Sequence, residues 1–240
     1  MKSKKEQEIG KQEEKLPLSR YINPLTDFGF KHLFGAKDLL IDFLNSILDI
    51  DGGIKDLTYV NTEKTPRSPK ERKSVLDLHC KTRKGENIII EIQHQREKNF
   101  IDRVLTYVAD TIKEQSKKGK RTDETVLAPL YSVNIVDFRM NRKKTDKSAS
   151  YVKLIDIDTK EVFYKKLTLV FLELPRFNMK VNELKTTRDV WMFVLKNLKK
   201  LDNLPDEIRN DIFEKLFQMA EVAALSEKDR NEYYQLLACQ

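Results

Sequence analysis

The sequence predicts one mixed α/β domain, a β-sheet with helices on its faces in the order αβββαβ, followed by further strands and a helical C-terminal extension. Three observations carry this. Apolar residues recur at helical spacing near both ends of the chain, and through the middle they alternate or run together in short β-branched stretches. A hydrophobic content of 40% over 240 residues is enough for one sizeable core. Charged residues make up 35%, which suits a folded chain with a densely charged surface rather than a disordered one.

Residues 1–19 are charged, lack the apolar centre of a signal peptide and read as a flexible solvated tail. Thr26-Asp-Phe-Gly-Phe-Lys-His-Leu-Phe34 then places apolar residues at 28, 30, 33 and 34 behind a Thr or Asp suited to capping a helix. A second helical run follows Gly35, with Leu39, Leu40, Phe43, Leu44, Ile47 and Leu48 on one face. Asp51-Gly-Gly53 breaks it, and residues 57–62 alternate as a strand. A basic loop, 64–73, leads into Ser74–Gln95, two strands joined by Arg83-Lys84-Gly85. Phe100, Val104, Leu105, Val108 and Ile112 mark the next helix, which the polar run 116–124 ends.

Residues 129–138 are nearly continuously apolar, the pattern of a strand covered on both faces. Beyond the basic loop 139–150, strands are expected near 151–157 and 167–174, the second closed by Pro175. From Thr186 the pattern is helical. Trp191, Val194, Leu195 and Leu198 form one stripe, Ile208, Ile212, Leu216 and Met219 another, and Ser226-Glu-Lys-Asp229 resembles a capping box. The expected organisation is a tail over 1–19, a main domain over 20–178 and a helical extension over 179–240.

Charge and cysteine content narrow the function classes. No apolar run approaches the roughly 20 residues that span a bilayer, so no membrane partner is expected and the location read from the sequence is cytoplasmic. Cys80 and Cys239 lie far apart in no metal-like spacing. The formal net charge of +7 favours a polyanionic partner while falling well short of a histone-like balance.

The strands of 74–95 carry the chemistry. Alternate residues share a face, so Val75, Asp77 and His79 point one way, and Ile89, Glu91 and Gln93 share one face of the next strand. With Gly85 in the left-handed position of a three-residue loop, residue 82 faces 86 and, counting inward, Asp77 faces Glu91. Carboxylates directly opposite have Cβ atoms roughly 4.5–5.5 Å apart. At an effective dielectric of about 20 their repulsion is roughly 3 kcal/mol. A divalent cation, Mg²⁺ or Mn²⁺, would offset it, since such ions favour one or two carboxylates with room left for phosphate oxygens. Gln93 is placed to orient a water or a phosphate through its amide. On pattern alone, a solvent-exposed sheet face bearing two ordinary acids stays open beside that reading.

Asp77 followed by a strand ending Ile90-Glu-Ile-Gln93, set between a helical start and a following helix, resembles the PD-(D/E)xK nuclease superfamily. The closer resemblance is to its bacterial branch of transposase-like, recombination-promoting nucleases of the Rpn type. Tyr21 to Gly35 is similar to that branch's opening block and Leu39 to Leu48 continues it. Arg103 with Tyr107, Gln115, Gly119, residues 129–138, residues 167–177 and the Trp191 helix follow in its order, and the resemblance spans about residues 20–235. It implies a restriction-endonuclease-like fold and Mg²⁺-dependent cleavage of DNA; separately from the resemblance, a homodimer is one possible assembly. Carried over by position, Asp77 and Glu91 are the metal ligands, and Gln93 stands where the superfamily pattern has Lys, a variant the branch itself shows. Relatives run on into a charged helical tail, whereas this sequence stops at Gln240, which reads as a short form or a truncated reading frame.

The accessory residues carry ordinary readings as well. Asp27 is an expected N-cap whose place in the opening block gives it a second possible role at the site, and Lys31 lies one turn on. Glu63 closes the first strand as a possible further ligand. Arg103 shares a helix face with Tyr107 and is a candidate contact to DNA or to the carboxylates. The basic segments 64–73, 117–121 and 139–144 suit phosphate backbones without sequence specificity. The alternative reading is a catalytically inactive DNA-binding or interaction protein on a decayed nuclease fold.

Overall fold

The computed structural model describes residues 19–60, 77–116, 126–141 and 146–238. Its strands are β1 (Leu57–Tyr59), β2 (Leu78–Thr82), β3 (Asn87–Gln93), β4 (Leu130–Val136), β5 (Ala149–Ile155) and β6 (Val162–Glu173). Its helices are α1 (Asp27–Phe34), α2 (Lys37–Ile47), α3 (Phe100–Ser116), α4 (Thr187–Asn197), α5 (Asp211–Ala220) and α6 (Glu227–Ala238). The strands form one six-stranded mixed sheet in the order β1-β2-β3-β4-β6-β5. β3, β4 and β6 run parallel at its centre, while β1, β2 and β5 pair antiparallel outside them. The parallel step from β3 to β4 requires a crossover, which α3 supplies.

Both faces of the sheet are covered, which is why β4 reads as a nearly unbroken apolar run. On one side α1, α2, α4, α5 and α6 pack around Trp191, whose ring centroid lies 5.6 Å from that of Phe34, 5.4 Å from Phe43 and 5.1 Å from Phe213. The indole N–H of Trp191, inside this core, donates to Asp42 Oδ1 at 2.6 Å. The helices after residue 186 therefore bury their apolar stripes in the same core as α1 and α2. On the other side α3 lays Phe100, Val104 and Val108 against Ile89, Leu169 and Phe171.

At the start of α1, Thr26 Oγ1 accepts the Gly29 N–H at 3.0 Å and is the cap. Asp27 sits one residue inside the helix and pairs instead with Lys31, at 2.7 Å. Gly29 is required here, because a Cβ at that position would overlap the carbonyl of Asn23. Two elements differ from expectation. β6 begins at Val162, earlier than the apolar run from Leu167, because its charged first half is held by pairing with the end of β5. β1 ends at Tyr59, and residues 61 and 62 lie outside the described residues. No described helix is long and apolar enough to cross a membrane.

Candidate active site

The β2–β3 turn fixes the register. Gly85 has φ +89°, its N–H donates to the Thr82 carbonyl at 2.9 Å, and the Thr82 N–H donates to the Glu86 carbonyl at 3.0 Å. Leu78 then lies opposite Ile90, His79 opposite Ile89 and Cys80 opposite Ile88. One residue further along the same register, Asp77 stands opposite Glu91.

The two carboxylates are tied to the backbone around them. Asp77 Oδ2 accepts the Ile92 N–H at 2.6 Å, and the Asp77 N–H is hydrogen-bonded to the Glu91 carboxylate. Glu91 is only 5% exposed, and its Oε1 is buried with no hydrogen-bond partner. A buried carboxylate oxygen without a donor is costly, so it calls for a proton or a cation.

Two helices converge on the pair. From α1, Asp27 and Lys31 act on the Asp77 charge, and Lys31, Tyr59, Asp77 and His79 line a cleft of about 380 Å³. From α3 comes Arg103, whose guanidinium donates to Gln93 Oε1 and, at 2.8 Å, to Glu97 Oε2, and lies 5.6 Å from the Phe100 ring centroid. The Gln93 amide donates to the Gln95 carbonyl at 2.8 Å and to Glu97 Oε1 at 3.1 Å. Both ends of the Gln93 amide are thus engaged within the protein. The sequence had assigned that amide to a water or a phosphate; here it holds Arg103 and Glu97 in place.

Burial dominates the electrostatics. It pushes Glu91 up to about 8, with the Asp77 charge adding to the shift and Arg103 opposing it. Burial also raises Asp77, against the Ile92 N–H, while Asp27 adds to the rise and Lys31 and Arg103 oppose it. Without a cation the pair therefore keeps a proton near neutral pH, and this relieves the cross-strand repulsion.

The site brings together Asp77, Glu91, Gln93, Arg103 and Asp27. Glu63 and the basic segment 64–73 lie outside the described residues, as do residues 117–121 and 142–144 of the other two basic segments. His79 is buried, and its Nε2 is 3.3 Å from Asn87 Oδ1. Among the described residues no group of three or more His, Cys, Asp or Glu is arranged around one metal position, so the donor set on offer is the Asp77–Glu91 pair. Its chemistry suits a hard divalent ion: two carboxylates, one oxygen of Glu91 unpartnered and one of Asp77 beyond the Ile92 bond. Sequence reasoning missed Glu97, because a charge in the run His94-Gln-Arg-Glu-Lys98 reads as solvated. Its only sequence signal is its spacing, four residues after Gln93 and six before Arg103.

A family model described as PD-(D/E)XK nuclease family transposase matches residues 24–238. No curated protein and no solved structure matches the chain.

Proposed function

The chain belongs to the PD-(D/E)XK nuclease family transposases, and from that premise we propose that it is a cytoplasmic, divalent-metal-dependent DNA endonuclease acting in recombination. The observation that carries the reading is the unpartnered, buried Oε1 of Glu91 opposite Asp77. Asp77 and Glu91 would hold Mg²⁺ or Mn²⁺, which when bound supplies an activated water and neutralises charge on the phosphoryl group.

The chain's own residues do the rest. The bond from the Ile92 N–H keeps Asp77 aimed across the strands at Glu91. Arg103 supplies, from α3, the positive charge that the superfamily pattern draws from a Lys where Gln93 stands. Its planar fork suits a phosphate, and Gln93 with Glu97 sets its direction. Lys31, on the rim of the cleft, is a second phosphate contact.

The test is nicking of supercoiled plasmid by the purified protein with Mg²⁺, Mn²⁺ or EDTA, run beside Asp77→Ala. Metal-dependent cleavage lost in the variant is expected. A folded protein that binds DNA and cleaves it in neither metal would refute the enzyme reading in favour of a binding module. That second reading draws on the engaged amide of Gln93, which leaves no side chain at the Lys position free to act on substrate.

A further inference from the structure

The edge of the sheet away from the carboxylates ends in β5, and β5 is built unlike a protected edge. All of its residues from Tyr151 to Ile155 are exposed, and only Lys153 among them is charged. Natural edges are kept from pairing by short length, charge or bulges. β1, at the other edge, has three residues, whereas β5 has seven. The irregularity in the β5–β6 ladder does not protect β5, since between the pairs Val152–Leu169 and Leu154–Tyr164 a single residue of β5 faces four of β6. The extra residues bulge on β6 and leave β5 extended.

Apolar side chains surround this open edge. Tyr151, Val152, Leu154 and Ile155 stand on it, Ile157 and Phe163 flank its tip, and Ile101 and Leu105 on α3 rise beside it, with exposures from 41% at Ile101 to 78% at Phe163. Val152, Leu154, Ile101 and Leu105 line one groove of about 890 Å³, which Arg96, Glu97 and Lys98 also line. Together these eight side chains leave on the order of 800 Å² in water, spread over both faces of the sheet, since the Tyr151 hydroxyl donates to the Ile47 carbonyl on the α2 side while Val152 and Leu154 line the groove beside α3. That area matches the ~800 Å² that each partner gives to a standard interface.

We propose that this face joins two copies of the chain, β5 pairing antiparallel with β5 of the second copy to continue the sheet across a two-fold axis. An antiparallel edge can meet itself in this way without any further partner, and the same apolar surface is then buried twice. The register centred on Val152 is favoured. It sets Lys153 against Tyr151 of the second copy, a cation over an aromatic face, where the neighbouring register would set Lys153 against itself. The Asp77–Glu91 pair stays open, because β2 and β3 lie toward the opposite edge of the sheet, while Glu97, which holds Gln93 and Arg103, lines the groove beside the seam.

Sedimentation velocity on the full chain without DNA or metal tests this apart from any cleavage. A dimer at micromolar concentration is expected, with Leu154→Lys and, independently, Ile101→Lys giving monomers whose circular dichroism and melting match the parent. Both side chains are already exposed, so neither change should disturb the fold. Val152→Cys in a Cys239→Ser background is expected to give a disulfide-linked dimer on mild oxidation, since Cys80 is buried. A parent that stays monomeric at about 100 µM, or a dimer that survives both lysine variants, would overturn the proposal. A dimer in which Val152→Cys does not cross-link would overturn the register.

Discussion

Glu91→Gln in the metal-free protein is a test of whether the second carboxylate is held neutral by its surroundings. Burial, then the Asp77 charge, pushes Glu91 from its ordinary 4.5 up to about 8. Between those values the folded chain keeps a proton that the unfolded chain releases, so stability falls as pH rises through the window. Each pH unit is worth about 1.4 kcal/mol, so by pH 7 the loss relative to pH 4.5 is about 3 kcal/mol, and it levels off above pH 8. For a chain of this length, 3 kcal/mol corresponds to roughly 6–12 °C in melting temperature. Glutamine occupies the same volume without titrating. The assay is urea unfolding in EDTA between pH 4.5 and 9 for both proteins, with the difference between their stabilities as the readout. That difference is expected to grow in favour of the variant by about 3 kcal/mol up to pH 7. Excess Mg²⁺ or Mn²⁺ should recover stability in the parent near pH 8 and not in the variant. Parallel curves in EDTA would refute the reasoning, since Glu91 would then be ionised at its ordinary value despite its burial.

Arg103→Ala is expected to lower cleavage about 10²-fold, the usual cost of one preorganised donor at a developing charge. It should also move the acidic limb of the pH–rate profile upward, because Arg103 holds both carboxylates down. Arg103→Lys should restore the limb more than the rate. Trp191→Ala empties the centre of the helical core and leaves Asp42 Oδ1 without its donor; a loss of about 3–5 kcal/mol in urea unfolding is expected. Gly29→Ala, ordinarily helix-favouring, should destabilise the chain and lower plasmid nicking together, since the clash with the Asn23 carbonyl moves the turn that carries Asp27 and Lys31. Gly85→Ala should cost about 1–2 kcal/mol by urea unfolding, because only glycine rests easily at φ +89°.

Much of the site was legible because it is built from local rules. A glycine in the left-handed position fixes a hairpin register, and from there Asp77 opposite Glu91 follows by counting. The stripe through Trp191, Val194, Leu195 and Leu198 was legible for the same reason, as apolar residues at helical spacing must be covered by something, whereas α5 buries Phe213, Leu216 and Phe217 more deeply than the expected Ile212 and Met219. Thr26 and Asp27 were harder to separate: both residue types cap helices, and the choice fell to whichever oxygen the close approach of Gly29 and Asn23 left in reach.

Sequence by itself determined the order of elements, the facing pair of acids and the family, since periodicity, turn chemistry and short motifs are properties of neighbouring residues. Tertiary structure alone decided the charge state of Glu91, because desolvation depends on what the sheet and α3 stack over it. It also decided the role of Gln93, whose amide is claimed by Arg103 ten residues on, and the presence of Glu97 beside them. The open face of β5 belongs with these. The sequence predicts a strand near 151–157 without showing how it is covered, and only the strand order, which places β5 last, leaves it facing water.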